Sequence, residues 1–190
     1  MIKLRSKRVD IIALGFADLK QFINSRPDYE RDHKLIVSGE AFPDAYREEV
    51  VEMMEREPNL WRDTSPYFAF RTLWLMVDRG SKRIVGQFSF NGKPSPDADV
   101  EIFFSVEEPF RQKGYATEVM LEVLTWGGDT KLFHRVLIDA DEGNKAAMAS
   151  LKKLGFRKCN TSINEVTSTY YKAVYDKDTD VADMEVDGGI

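Results

Sequence analysis

Arg111-Gln112-Lys113-Gly114-Tyr115-Ala116 decides how the rest of the chain is read. Upstream, Val100-Glu101-Ile102-Phe103-Phe104-Ser105-Val106 is rich in β-branched and aromatic residues, and Pro109 prevents simple continuation of a ladder. Downstream, Ala116, Val119, Met120, Val123, Leu124 and Gly127 recur at the one-face spacing of an amphipathic helix. The order is strand, tight turn, helix start. The first N–H groups of a helix have no intrahelical partner, so the turn delivers unpaired donors to whatever lies above the strand's end. Gly114 can adopt dihedrals closed to other residues, Ala116 keeps the next turn small, and Arg111 and Lys113 add positive charge. That combination suits an anion. A basic surface turn before a helix would give the same letters. The turn is not a dinucleotide fingerprint, which needs three glycines, nor a P-loop, which needs Gly-Lys-Ser/Thr.

A second anchor follows the apolar strand pattern Arg135-Val136-Leu137-Ile138-Asp139-Ala140, as Asn144-Lys145-Ala146-Ala147-Met148-Ala149-Ser150-Leu151-Lys152-Lys153-Leu154-Gly155-Phe156. The pair resembles the GNAT superfamily of N-acetyltransferases, whose pyrophosphate loop has the form (Q/R)-x-x-G-x-(G/A). In that family a later strand leads to N-x-x-(A/S)…L-G-F. Arg111, Gly114 and Ala116 fill the first motif; Asn144, Ala147, Leu154, Gly155 and Phe156 fill the second. Ile84-Val85-Gly86, Val100-Glu101-Ile102 and Gly114-Tyr115-Ala116-Thr117-Glu118 look most like the branch containing the ribosomal-protein N-terminal acetyltransferases. The resemblance covers Trp74 to Phe156.

Composition bounds the alternatives. With 190 residues, 43% hydrophobic and 12% aromatic, the chain is of ordinary globular make-up and can bury one substantial core. No apolar run is long enough to span a bilayer, and Asp10 and Asp18 interrupt the early apolar patch, so neither a membrane span nor a signal peptide is expected. One cysteine, Cys159, excludes an internal disulfide and fits a reducing cytoplasm; with two histidines it offers no metal cluster. The chain carries 27 basic and 32 acidic residues, net −5, and Asp176, Asp178, Asp180, Asp183, Glu185 and Asp187 against Lys177 account for that excess. The body is therefore neutral, which argues against nucleic acid as a partner.

In chain order, the pattern predicts a strand at Val9–Leu14, a helix from Asp18 to Ile23 stopped by Asn24-Ser25-Arg26-Pro27, and a helix from Pro43 or Asp44 to Met54. Pro58 and Trp61 close that region. Lys3, Arg5, Lys7 and Arg8 read as a solvated basic end. Thr72–Val77, Arg83–Phe90 and Asp99–Val106 read as three successive antiparallel strands. A helix after Gly114, a strand at His134–Ala140 and a helix ending at Leu154 form a βαβα half, so the later strand lies parallel to the earlier. Strands near Arg157–Asn164 and Thr167–Tyr175 close the sheet. The fold class is α/β, with a mixed, mostly antiparallel central sheet and flanking helices. The resemblance adds that the parallel pair splays apart. It implies a single acetyltransferase domain over 1–175, with a helical acceptor-side region (1–66), a coenzyme-binding core (67–156) and closing strands (157–175). Residues 176–190 read as an acidic, disordered tail.

The resemblance further implies acetyl-CoA as cosubstrate and an amine as acceptor, either a small molecule or a protein N-terminus, in direct transfer within a ternary complex. Backbone N–H groups of Gln112, Lys113, Gly114, Tyr115, Ala116 and Thr117 would hold the pyrophosphate, and Phe104 and Val106 would pair with the pantetheine arm. Arg111, Lys113, Lys145, Lys152 and Lys153 are the cations available to an outer phosphate. Asn144 suits a pantetheine amide and equally a helix N-cap. Phe42, Tyr46, Trp61, Tyr67 and Phe68 either line an acceptor groove or simply cover the sheet.

For the general base, Glu101 matches a carboxylate position of this branch, with a paired structural carboxylate the competing reading; Asp139, Asp141 and His134 are weaker candidates. A lysine amine near pKa 10.4 is neutral to only about 0.04% at pH 7, against roughly 15–20% for an α-amine near 7.7. Lysine would thus need about 3.7 kcal/mol more from the site, so a lysine substrate calls for a strong base; a protein or peptide α-amine is slightly favoured over a small-molecule amine. Two departures matter. Leu151 stands where many members carry a tyrosine acid, and Ala147 where the branch often has serine. A thiolate of pKa about 8–9 leaves without much protonation, so catalysis survives their loss. A non-catalytic acyl-CoA-binding sensor or structural module is the alternative reading. A homodimer is implied by the family alone.

Overall fold

The unbroken apolar run Leu73–Val77 lies in β3 (Leu73–Asp78), which is buried along its whole length. Alternation sends Trp74 and Met76 to one face and Leu73, Leu75 and Val77 to the other, so both faces need a cover. The computed structural model describes residues 2–56, 66–161 and 167–173. On one face lies α4 (Tyr115–Thr130), whose Val119, Met120 and Val123 join a ring cluster of Phe70, Trp74, Phe88, Phe90, Trp126 and Phe133. On the other, α1 (Phe16–Asn24) and α2 (Arg26–Asp32) bring Leu19, Phe22, Ile23 and Tyr29 down on Leu73, Leu75, Val77 and Ile84.

The other strands are β1 (Lys3–Arg5), β2 (Val9–Ala13), β4 (Arg83–Phe90), β5 (Asp99–Val106), β6 (Arg135–Asp141), β7 (Arg157–Thr161) and β8 (Thr167–Ala173). They form one sheet in the order β1-β2-β3-β4-β5-β6-β8-β7. Neighbours are antiparallel except β5 and β6, which are parallel. The fold is thus the mixed, mostly antiparallel α/β class expected. The last strand crosses over, since β8 and not β7 lies beside β6.

Several expectations at the N-terminal side need correction. Lys3 and Arg5 are exposed, as expected, but they stand on an edge strand, Lys3–Arg5, and both pair with Asp10. Pro27 stops α1 but does not end helicity, because at the first turn of α2 its missing N–H has no intrahelical role. A 3-10 turn spans Pro66–Arg71, and α3 runs Asp44–Arg56. Pro58, Trp61, the end of the expected β7 at Asn164, Tyr175 and the acidic tail lie outside the described residues.

Leu154-Gly155-Phe156 has a plain physical meaning at the end of α5 (Lys145–Leu154). Gly155 takes φ 77°, Phe156 N–H donates to Leu151 O at 2.9 Å, and the Phe156 ring is buried. This is a left-handed helix stop that turns the chain into β7.

Gly127 allows the closest packing of α4 on the core: a Cβ there would stand 2.4 Å from the ring of fully buried Phe133. We expect G127A to lower stability by about 1–3 kcal/mol despite alanine's better helix propensity, because the ring has no room to retreat. The urea unfolding midpoint checks this.

Candidate functional site

β5 and β6 pair over Asp99↔Arg135, Val100↔Val136 and Glu101↔Leu137, and there the pairing ends. Beyond it β5 continues to Val106 against β4, and β6 continues to Asp141 against β8. The two strands therefore part inside the sheet. Asn91 N–H donates to Glu101 O at 2.9 Å and Glu107 N–H to Val85 O at 3.0 Å. Bonded pairs alternate along an antiparallel ladder, so odd-numbered residues of β5 address β4. The main-chain groups of Ile102, Phe104 and Val106 then face the gap. Gly86, opposite Val106, permits the close approach of β4, for a Cβ there would lie 2.4 Å from Ser105 O.

The turn 111–114 lies at the open end of this gap. Gln112 has φ 60° and Gly114 φ 82°, and Gly114 is the N-cap of α4 without a side-chain capping bond. Glu118 N–H donates to Gly114 O at 3.1 Å, which leaves the N–H groups of Tyr115, Ala116 and Thr117 without an intrahelical acceptor. Such a row of donors at a 16-residue helix suits a phosphate-bearing group. Arg111 Nε donates to Val106 O at 3.1 Å, and Lys113 Nζ donates to Pro109 O at 2.8 Å beside the Phe110 ring; both side chains are exposed. The Tyr115 side chain is buried, its hydroxyl engaged with Asp78.

Arg8, expected among solvated residues, is instead fastened to this turn. Its Nε donates to Glu118 Oε2 at 2.7 Å, its Nη2 donates to Lys113 O at 3.0 Å, and its guanidinium lies 4.4 Å from the Tyr115 ring centre. Glu118 also accepts from Ser6 Oγ and from Arg8 N–H, each at 2.6 Å. No local pattern reveals this latch, because its halves are separated by 110 residues. Glu118 in the first turn of a helix was the one legible hint.

Val100 and Ile102 point into the α4-side core, so Glu101 projects from the opposite face of β5, together with exposed Phe103. Asn91 Nδ2 donates to Glu101 Oε2 at 2.7 Å. Asp139 is exposed and accepts from Thr169 Oγ1 at 2.6 Å; Asp141 accepts from Gly143 N–H at 2.8 Å; His134 N–H donates to Ala98 O at 2.6 Å. At the far end of β5, buried Arg26 bridges Glu30 at 2.8 Å and Glu107 at 2.7 Å, and Ser38 donates to Glu30, tying the 33–43 connection to that end. Burial raises the Glu107 carboxyl above its ordinary value, partly offset by Arg26. Of the aromatic residues, Phe42 and Phe68 cover the sheet, while Tyr46 and Tyr67 are exposed.

Across the gap, Asn144 caps α5, its Oδ1 accepting from Ala147 N–H at 3.1 Å. Leu151 is buried in the core. Lys145 starts α5 beside Asn144, whereas Lys152 and Lys153 lie in its last turn, at the other end of the helix from the cap. Among the described residues, no group of three or more His, Cys, Asp or Glu is arranged to hold a metal, and no helix is long and apolar enough to cross a membrane.

A family model described as acetyltransferase (GNAT) domain matches residues 8–157. The chain is 29% identical over 83 residues to the uncharacterized N-acetyltransferase YjdG of Bacillus subtilis; the match covers 44% of this chain and 49% of that protein, about half its length. Among solved structures, ribosomal-protein-S5-alanine acetyltransferase from Vibrio fischeri is similar with TM-score 0.62 and 17% identity, covering 93% of this chain and 98% of that one. Spermidine N-acetyltransferase from Vibrio cholerae, solved with CoA and spermine, gives 0.60 and 13%, covering 87% and 95%. At such identities these two speak to the fold alone.

The latch carries a pH signature. Burial works to raise the Glu118 carboxyl, but the Ser6 hydroxyl, the Arg8 N–H and the Arg8 guanidinium outweigh it and hold it below its ordinary value. A depressed carboxyl stabilises fully above its unfolded pKa of about 4.3, and that stability is lost as pH falls through the folded value. We expect E118Q to cost about 1–3 kcal/mol at pH 7, with the gap to the parent protein closing below about pH 4. Urea unfolding across pH checks it; a pH-independent gap would mean that the ionised carboxylate is not what stabilises.

Proposed function

The chain belongs to the GNAT acetyltransferase family, and from that premise we propose that it transfers an acetyl group from acetyl-CoA to a primary amine. The supporting observation is the gap beyond Glu101 and Leu137, lined by main-chain groups of β5 on one side, with the 111–117 turn and helix start at its open end. The residues fit the coenzyme. N–H groups from Gln112 to Thr117 hold the pyrophosphate, a helix terminus contributing roughly 0.3–1 kcal/mol per charge. Phe104 and Val106 pair with the pantetheine arm, and a β5 N–H polarises the thioester carbonyl. Asn144 keeps its amide N–H groups for the arm while its oxygen caps α5.

The coenzyme supplies the activated acetyl group; the chain supplies position and a proton acceptor. Glu101, on the face opposite α4, takes the proton of the attacking amine. As acceptor, a protein or peptide α-amine is slightly favoured over a small-molecule amine, and over a lysine side chain because the α-amine is neutral far more often at pH 7. Buried Leu151 offers no acid to the leaving thiolate, which departs as the anion. The same residue motivates the second reading, a non-catalytic acyl-CoA-binding module.

Titration calorimetry with acetyl-CoA, followed by a free-thiol assay over amines and peptide N-termini, separates the two: binding with thiol release supports the enzyme, and binding without release on any acceptor supports the module. E101Q should reduce kcat/KM by about 10²–10⁴ with little change in coenzyme affinity; unchanged turnover with every acceptor would remove Glu101 as the base. G114E, which puts a carboxylate among the phosphate donors at φ 82°, should weaken coenzyme binding about a hundredfold, and retained affinity would remove the cradle.

A further inference from the structure

We propose that Arg8 is a positioning residue of the coenzyme cradle, which fixes the 112–114 turn through the Lys113 carbonyl rather than by meeting a phosphate itself. The role rests on reading that turn as the cradle. Gln112 at φ 60° is a left-handed non-glycine residue, a conformation that persists only where its surroundings over-determine it. Arg8 is the surrounding group that holds the Lys113–Gly114 peptide, one beyond those that flank Gln112, with Nη2 on Lys113 O at 3.0 Å. In a planar trans peptide the C=O and the following N–H point in opposite directions. Anchoring the Lys113 carbonyl on Arg8 therefore aims the Gly114 N–H away from Arg8, free to serve a ligand.

The guanidinium is held at two further points, one of them itself braced. Its Nε is on Glu118 at 2.7 Å, its plane lies over the Tyr115 ring at 4.4 Å, and the Tyr115 hydroxyl is engaged by Asp78. The β1–β2 turn that carries Arg8 is braced as well. Val9 N–H donates to Ser6 Oγ at 3.0 Å, and Arg79 Nη2 donates to Ser6 O at 2.9 Å and to Lys7 O. Glu118 neutralises the Arg8 charge at contact distance, so what Arg8 adds to the turn is geometry more than positive potential. A lysine at this position keeps the charge but lacks the fork that reaches a carboxylate and a carbonyl at once.

The test compares R8K and R8M with the parent protein, using two probes: CoA, and S-acetylpantetheine, which lacks the diphosphate. Titration of each gives the preference for CoA. Both variants should lose about tenfold of that preference, the scale of one charge-assisted hydrogen bond. An R8K protein with parental preference would overturn the role, since charge alone would then suffice. Equal losses for both probes would overturn it too, as the sign of general structural damage. Should R8M fail to fold, E118Q replaces it: freeing Nε should shift the preference in the same direction, and no shift overturns the role. A parent protein with no preference for CoA would remove the reading of the cradle itself, which the parental titration shows before any variant is compared.

Discussion

Parallel strands that part in the middle of a sheet leave main-chain N–H and C=O groups without a ladder, and groups so placed demand partners. The separation of β5 from β6 after Glu101 and Leu137 is such a case, and the neighbouring elements make it tolerable. Five residues of β5, Ile102 to Val106, stay anchored on β4, while β6 is paired with β8 along its whole length. Each side of the gap is thus a strand with one satisfied edge. The helices that follow β5 and β6 start at the same end of the gap, α4 at Tyr115 and α5 at Lys145, and bring their N-termini there. A mouth lined by the uncapped first donors of α4, with the capped start of α5 across from it, is the direct product of that connectivity.

The mouth is held in shape from outside the βαβα half. The β1–β2 hairpin reaches over the start of α4, and Arg8, Ser6 and Glu118 form a charge-assisted cluster in which Glu118 accepts three hydrogen bonds. A carboxylate in the first turn of a helix is favoured by the exposed N–H groups and would compete with an anionic ligand if unpaired. Binding it to Arg8 cancels that competition. On the opposite face, the Arg26–Glu30–Glu107 ion pairs do comparable work, joining α2 and the 33–43 connection to the end of β5. Glu101 lies on that same face, clasped by Asn91 from the β4–β5 turn.

The strands β4 and β5 were legible to the residue, because Arg83–Phe90 and Asp99–Val106 are apolar, β-branched runs bounded by turn residues. The α4 and α5 helices were legible from their 3.6-residue periodicity and from the glycines that start one and stop the other. The N-terminal side was less so. Lys3-Leu4-Arg5 is too short and polar to announce a strand and exists only because β2 offers it an edge. The Arg26–Asp32 helix hides behind Pro27, whose effect depends on whether it begins or interrupts a turn. Asn144 was readable as a cap and is one.

By itself the sequence determined the family, the mixed α/β class and the 111–116 turn, because these rest on local pattern: hydrophobic period, turn glycines and motif spacing over a few residues. Only the tertiary structure decided that Arg8 belongs to that turn, that Glu101 is held by Asn91, that β8 inserts beside β6, and that Arg26 and Glu107 meet. Those relations join residues from ten to more than a hundred positions apart, and their energies depend on the distance and burial of particular side chains, quantities that exist only once the sheet has closed.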